Sequence, residues 1–240
     1  MALTLRKHWL ATLAALAVAA ILVIQLAIPF VSAMTEKERR GINEIPGVTE
    51  KAVSLTIDDG PDPRFTPAIL DTLKAKGAKA TFFVVGTAAE KHPELIRRIL
   101  AEGHEIANHT YTHPHFDKIT PAQAREEIAQ AKRVLAKFGV DAQWVRAPRG
   151  ATTGATAQVL RNSGMRAAGW TIGVENNKPK GPEGRADRVM DAMFPGAIIL
   201  AHDGRLDRSP TVATIPVLLD KLHDEGYRVV TLSQLAAMGH

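Results

Sequence analysis

The chain has 240 residues, of which 45% are hydrophobic and 23% charged, and its formal net charge is +5. A basic excess this small and this dispersed argues against nucleic-acid binding. The chain contains no cysteine, which excludes disulfides and thiolate metal sites, so any metal must be held by His, Asp or Glu.

The first 33 residues form a leader. Arg6 and Lys7 precede an uncharged apolar stretch from Trp9 to Phe30, and residues 31–33 have the small side chains of a signal-peptidase site. The stretch is also long enough to span a bilayer, so a cleaved signal peptide and an uncleaved signal anchor both remain open for residues 1–33. Either one predicts export to the periplasm, the cell surface or the medium.

After a polar segment, residues 34–50, that we expect to be a linker, residues 51–240 alternate strand and helix patterns without interruption. Short apolar and β-branched runs predict seven strands, at residues 52–57, 80–85, 105–107, 144–147, 166–170, 197–201 and 228–231. Helical patterns lie between them, so the sequence predicts an α/β fold with a parallel sheet. Polar residues follow several strands, and a barrel would bring those strand ends onto one face. We therefore favour a barrel over an open doubly wound sheet.

Two adjacent carboxylates, Asp58 and Asp59, follow the first predicted strand and precede the turn Gly60-Pro61. Like charges this close repel, and a divalent cation would neutralise one carboxylate and free the other to act as a base. A solvated Asp-Asp-Gly turn is the alternative for these residues alone.

Two histidines, His109 and His113, follow the third predicted strand four residues apart. With one of the two aspartates they could form a two-His, one-Asp metal site that leaves positions open for water and substrate. The His-x-x-x-His spacing is common and by itself favours an ordinary surface loop. We do not expect the neighbouring His115 to be a ligand.

Two further groups follow later strands. Arg146, in the segment Arg146-Ala147-Pro148-Arg149-Gly150, could lower the pKa of an aspartate and fix its orientation, or could form an ordinary salt bridge at the barrel mouth. His202 follows the apolar strand 197–201 and is suited to protonate a leaving amine.

In this order, the motifs resemble those of the polysaccharide deacetylases, the NodB-homology domain of carbohydrate esterase family four. The matching segments are Thr56–Pro61, Ala80–Gly86, His109–His113, Arg146–Pro148 and Leu200–His202. The resemblance covers residues 52–235.

The resemblance implies a distorted (β/α)7 barrel that uses a divalent metal to hydrolyse N-acetyl groups on an amino-sugar glycan of the peptidoglycan or chitin type. By this resemblance we expect the metal to be zinc, with cobalt, manganese and nickel as alternatives. By this resemblance Asp58 is the base, Arg146 orients it, His202 is the acid, and Asp59, His109 and His113 are the metal ligands. By the same resemblance Leu200 lines the acetyl pocket, and we expect Pro148, Arg149 and Glu175 to contact the substrate as well.

The sequence departs from the family at several positions. Arg149 stands where the family usually has Tyr. Gly173 and Asn176 stand where carboxylates are expected, and Asn177 where a tryptophan is expected. Glu175 is the candidate to replace the missing carboxylate beside His202.

Three functions remain open on the sequence alone. The first is an exported, monomeric hydrolase of N-acetylated glycans that touches a membrane only through an N-terminal anchor. The second is a non-catalytic glycan-binding or scaffold protein of the same fold. The third is a deacylase of a small acylated sugar or an O-acetyl ester. A binding protein does not need a base, three metal ligands and an acid together, so the hydrolase is favoured.

Overall fold

The computed structural model describes residues 40–175 and 181–239. The predicted leader therefore lies outside the described residues. Within the described ranges, no helix is both long enough and apolar enough to cross a membrane.

A parallel sheet of eight strands forms the framework of the described residues. The strands are β1 (Ala52–Asp58), β2 (Ala80–Val84), β3 (Glu105–Asn108), β4 (Trp144–Val145), β5 (Arg166–Ala167), β6 (Ile172–Gly173), β7 (Ile198–His202) and β8 (Arg228–Val230). Their order is β5-β4-β3-β2-β1-β7-β6, and β8 pairs with the first half of β1. The sheet curls into part of a barrel, which confirms the predicted distorted α/β barrel.

Helices connect the strands as expected for a parallel sheet. They are α1 (Thr66–Ala75), α2 (Gly86–Lys91), α3 (Pro93–Ala101), α4 (Pro121–Ala136), α5 (Gly154–Arg161), α6 (Pro182–Met190), α7 (Ser209–Asp224) and α8 (Leu232–Met238). A 3-10 turn, Pro148–Gly150, follows β4. The short helix α2 directly after β2 was not predicted.

The predicted fifth strand, residues 166–170, is shorter in the structure, where β5 ends at Ala167, and β6 follows it as a strand that was not predicted. Between them, the N–H of Gly169 donates to the carbonyl of Ile42, and the carbonyl of Gly169 accepts from the Arg146 side chain. The backbone at Gly169 thus pairs with the amino-terminal segment and a side chain instead of a neighbouring strand, which ends β5 early.

Residues from the predicted linker take part in the fold. Ile42 and Glu44 form bridges with Ala168, just after β5, and Ala197, just before β7. Ile45 is only 4% exposed. This segment therefore occupies the gap between the two ends of the curled sheet.

The strand β1 lies at the centre of the sheet, between β2 and β7, and all seven of its residues are buried. Its three polar residues, Ser54, Thr56 and Asp58, are buried together with its four apolar ones, so both faces of the strand are covered. Because the strands are parallel, the residues at their carboxyl ends meet on one edge. That edge carries Asp58 of β1, His202 of β7 and the residues that follow β3 and β4.

Candidate active site

A cavity of about 440 Å³ opens at the carboxyl edge of the sheet. It brings together five of the six residues predicted to be catalytic or metal-binding: Asp58, Asp59, His109, His113 and His202. The sixth, Arg146, is only 1% exposed and lies beneath the cavity. The separate strands therefore converge on one site, as the barrel hypothesis required.

Asp58 is fixed by a buried ion pair with Arg146. The Nη1 atom of Arg146 donates to Oδ1 of Asp58 at 2.7 Å, and both side chains are almost fully buried. The other carboxylate oxygen, Oδ2, lies 3.7 Å from Nε2 of His109. Oδ1 of Asp58 is thus bound to the guanidinium, whereas Oδ2 faces His109.

The Arg146 guanidinium is held on all sides. It donates to the Thr56 hydroxyl at 2.9 Å and to the carbonyls of Ala168 and Gly169 at 3.2 and 2.6 Å. Its charged carbon lies 4.0 Å from the centre of the Phe83 ring, a cation–π contact. Removing one partner of a buried ion pair costs about 3–5 kcal/mol, so the pair fixes both Asp58 and the fold around it.

The loop after β3 presents His109 and His113. Asn108, the last residue of β3, accepts from the N–H of Thr110 at 2.8 Å and donates to a carbonyl of α4 at 3.0 Å. Glu127 of α4 accepts from two further N–H groups of the loop, at 3.0 and 2.8 Å. The loop is therefore anchored to α4, and both histidine side chains are buried.

Asp59, His109 and His113 form the group suited to hold a metal ion. Their ligand atoms all lie within 4.8 Å of one another. Oδ1 of Asp59 is 3.0 Å from Nε2 of His113 and 3.5 Å from Nε2 of His109. Two tetrahedral ligands at about 2.1 Å from one zinc ion are about 3.4 Å apart, so the three side chains fit a divalent cation.

The hydrogen bonding of His109 supports the same conclusion. Its Nδ1 atom lies 3.0 Å from the carbonyl oxygen of Arg146. A carbonyl can only accept, so Nδ1 carries the hydrogen, and in the neutral ring Nε2 presents a lone pair towards Asp59. A histidine whose Nδ1–H is bound to a carbonyl, so that Nε2 is directed at the other ligands, is typical of metal sites.

Asp59 also contacts an arginine, Arg208, that the sequence did not indicate. Its Oδ2 atom accepts from Nη2 of Arg208 at 3.0 Å, and Arg208 also donates to the carbonyl of Gly204. Burial raises the pKa of the Asp59 carboxyl, but the neighbouring imidazoles of His109 and His113 outweigh that effect and hold the pKa well below its usual range. The ionised form, which a metal ligand requires, is thereby favoured.

His202 is supported by Glu175. Its Nδ1 atom lies 3.1 Å from Oε2 of Glu175, which is close enough for an ion pair. The geometry of this contact does not meet the criteria for a hydrogen bond. Oε1 of Glu175 accepts from the backbone N–H of His202 at 2.7 Å and from the hydroxyl of Thr211 at 2.8 Å. Burial lowers the pKa of His202, but the Glu175 carboxylate outweighs that effect and raises the pKa above its usual value.

The residues predicted to contact substrate occupy different places. Arg149 and Leu200 line the cavity. Pro148 is buried and is not among the residues that line it. Glu175 lies behind His202 rather than on the cavity wall. Asn176 and Asn177, which replace expected family residues, lie outside the described residues.

The sequence analysis did not single out Trp170, Arg205, Leu206 and Arg208, which also line the cavity. Arg205 and Arg208 lie within six residues of His202, so proximity to that motif could have indicated them. Trp170 follows β5, and its ring packs so close to Gly150 that a Cβ there would lie 2.5 Å from it. No sequence pattern singles out Trp170.

Comparison with known proteins agrees with the geometry of the site. A sequence model described as polysaccharide deacetylase matches residues 46–168, just over half of the chain. A chitooligosaccharide deacetylase of Bradyrhizobium sp. (strain ANU 289) is 36% identical over 210 residues, which cover 82% of this chain and 95% of that protein.

Two solved structures show the same fold. The crystal structure of a peptidoglycan N-acetylglucosamine deacetylase matches with a TM-score of 0.76 and 32% identity, covering 81% of this chain and 91% of that one. The crystal structure of a mutant CE4-family pseudoenzyme with restored enzymatic activity matches with a TM-score of 0.71 and 29% identity. That match covers 79% of this chain and 68% of the other. The fold alone therefore does not decide between turnover and its loss, and the site residues must.

Proposed function

The chain belongs to the polysaccharide deacetylase family, and we propose on that basis that it removes N-acetyl groups from an amino-sugar glycan by metal-dependent hydrolysis. The observation that carries the proposal is the convergence of Asp58, the Asp59-His109-His113 group and His202 on one cavity. Each group has the chemistry that amide hydrolysis needs, and Asp58, Asp59 and His202 each lie beside a charged partner: Arg146, Arg208 and Glu175.

A divalent cation bound by Asp59, His109 and His113 would polarise the acetyl carbonyl and make a bound water more acidic. Asp58 would accept the proton of the attacking water through Oδ2, because Oδ1 is tied to Arg146. Water adds to the carbonyl carbon, and the products are acetate and the free amine of the sugar.

His202 would donate the proton that the departing nitrogen needs. It pairs in register with Asp58 across the neighbouring strands β1 and β7, so an acid and a base lie side by side at the strand ends. A general acid must be protonated when the bond breaks. The Glu175 carboxylate favours that protonated form, since it raises the pKa of His202.

We expect Glu175→Gln to narrow the pH range of activity from the alkaline side. His202 is a competent acid only below its pKa, and Glu175 raises that pKa. Loss of the carboxylate lowers the pKa, so the alkaline limb of the pH–rate profile should move to lower pH. The measurement is kcat against pH, with bound metal determined on the same samples and expected to be unchanged.

The matched control for this variant is Glu94→Gln, at an exposed position on α3, which should keep the wild-type profile. An alkaline limb that stays in place in Glu175→Gln would show that Glu175 does not support the acid.

The proposed reaction is tested by measuring acetate release from a panel of acetylated substrates. The panel contains chitin oligomers, peptidoglycan and an O-acetylated xylan, each with and without a chelator. We expect chelator-sensitive release from an N-acetylated glycan. Release from the O-acetyl ester alone would favour the esterase alternative, and binding without release from any of them would favour the non-catalytic alternative.

The contact of Glu175 with His202 weighs against a non-catalytic protein. The family carboxylate beside the acid is missing from this sequence, and that absence was the main support for lost turnover. Glu175 supplies a carboxylate from a different position, 3.1 Å from the imidazole. The substrate class is supported by relatives, one named a chitooligosaccharide deacetylase and another a peptidoglycan N-acetylglucosamine deacetylase.

We also propose that the chain is exported, as its basic and apolar leader indicates. The expected result of fractionating the producing cells is that the folded domain lies outside the cytoplasm. N-terminal sequencing would then distinguish cleavage after Ala33 from a retained anchor. Recovery of the full-length chain from the cytoplasm, soluble and uncleaved, would contradict the proposal.

A further inference from the structure

Two arginines at the cavity mouth have no counterion among the described residues. Arg149 and Arg205 both line the cavity and are both exposed. Neither forms an ion pair or hydrogen bond with any residue in ranges 40–175 and 181–239. Their charge is therefore available to a ligand.

The acidic groups nearby are already engaged. Asp58 is paired with Arg146, Asp59 contacts His113 and Arg208, and Asp62 at the neighbouring groove is paired with Arg64. These are the only acids among the described residues that line the cavity and the groove. Arg149 and Arg205 thus add positive charge that no carboxylate lining the cavity or the groove neutralises within the described residues.

The two arginines lie on opposite sides of the metal-binding group. Arg149 follows β4 and Arg205 follows β7, while β1 and β3, which lead to the metal-binding residues, lie between those strands in the sheet. A glycan chain laid across the metal-binding group would therefore pass between the two guanidinium groups.

The backbone at both arginines is held in an unfavourable conformation. Arg149 has a φ of 61° and Arg205 a φ of 69°, in the left-handed region that costs about 1–3 kcal/mol for a residue with a side chain. The other non-glycine residues with positive φ in the described ranges are Asp59, Thr110 and His113, all in or beside the metal-binding group. Backbone strain of this kind is concentrated at functional sites, so it supports a functional role for both arginines.

The positive field extends beyond the cavity on one side. A second groove continues from Asp59 past Arg205 to Lys91. Lys91 is exposed and, among the described residues, makes no ion pair. Glycan units bound on that side of the metal-binding group would therefore lie along unpaired cations.

Building on the proposed function, we propose that Arg149 and Arg205 select glycans that carry a carboxylate on the sugar next to the hydrolysed N-acetyl unit. A guanidinium presents a planar pair of donors that matches a carboxylate. A neutral chitin-type oligomer offers no such group and would leave both arginines unpaired.

The test compares three oligosaccharides of equal length. The first contains only N-acetylglucosamine. The second alternates N-acetylglucosamine with N-acetylmuramic acid, whose lactyl group carries a free carboxylate. The third has the same sugars as the second, but its lactyl carboxylates are converted to amides. The rate of amine formation gives kcat and KM, and calorimetry gives Kd for each oligomer, so that selectivity is measured even without turnover.

With the wild-type protein, we expect the free carboxylate to lower KM and Kd relative to the amidated oligomer. Arg149→Gln and Arg205→Gln should each reduce that preference about tenfold, as expected for one charge-assisted pair. Arg149→Lys and Arg205→Lys should retain only part of the preference for the free carboxylate, because lysine keeps the positive charge but lacks the paired N–H donors of a guanidinium. Arg125→Gln, at another exposed arginine that makes no ion pair with the described residues, should leave the preference unchanged.

Equal KM and Kd for the free and amidated oligomers would overturn the inference, whatever the variants do. If the neutral and amidated oligomers are hydrolysed as well as the free one, the proposed function holds and the selectivity fails. If none is hydrolysed but the free carboxylate binds more tightly through the arginines, the selectivity holds and the proposed function fails.

Discussion

Replacing Asp58 with Asn will lower kcat by about 10²- to 10⁴-fold, the contribution of a positioned general base. The amide cannot accept the proton of the attacking water, whereas its oxygen can still accept the hydrogen bond from Arg146. Bound metal should stay at the wild-type level, because Asp58 is not one of the three residues grouped as ligands. Acetate release and metal content measured on the same preparation check both statements.

The matched control for Asp58→Asn is Asp71→Asn. Asp71 lies on α1, is exposed, and is paired with Arg98 at the surface. Its replacement should leave kcat within about twofold of wild type, as is usual for surface substitutions. If Asp58→Asn loses metal together with activity, Asp58 is a ligand, and the base must be a different group.

Replacing His113 with Ala will weaken metal binding by more than about 100-fold and abolish hydrolysis. Even the loss of a hydrogen-bond partner behind a ligand costs about 10- to 100-fold in metal affinity, and here a ligand itself is removed. His113→Asn is a useful second variant, because Asn tolerates the positive φ of 60° at this position. Metal affinity measured by competition with a chromogenic chelator gives the result.

His115 provides the control within the same loop. It is exposed and lies 4.0 Å from Asp117, away from the metal-binding group. His115→Ala should keep wild-type metal affinity and activity. If His113→Ala and His115→Ala bind metal equally well and both fold, the assignment of His113 fails.

Much of the fold could be predicted from local patterns. The apolar run that ends in Asp58 has a length and β-branched composition typical of a buried strand, and the structure makes it the central strand β1. The repeated strand–helix order then requires a parallel sheet, whose carboxyl edge collects the polar residues. The pattern could not predict that the fifth strand ends at Ala167, because Gly169 pairs with Ile42, which is far away in sequence.

The site was predictable where a residue adjoins a strand end and not where it depends on distant packing. Asp59, His109 and His113 follow their strands directly, and the parallel sheet brings them together. Arg208 reaches Asp59 only because the connection after β7 folds back against the turn after β1. A Cβ at Gly204 would lie 2.4 Å from the carbonyl oxygen of Asp59, so that approach requires glycine.

Glu175 illustrates an intermediate case. Its sequence position made it the favoured partner for His202, because Asp203, the other candidate, is adjacent to His202 in sequence and was expected to point away from it. The structure separates them, because Glu175 contacts the imidazole whereas Asp203 is fully buried and bound to the Thr66 hydroxyl. Burial raises the pKa of Asp203 to about 7, so it is a poor source of negative charge for the acid.

The central claim is that the Asp59-His109-His113 group holds a divalent cation that hydrolysis of the N-acetyl group requires. The most direct test removes metal from the wild-type protein with a chelator, restores it by titration with zinc, and follows bound metal and acetate release together. The account predicts that activity falls with the loss of metal and returns in proportion to zinc bound, up to one ion per chain. Full acetate release from metal-free protein would contradict it.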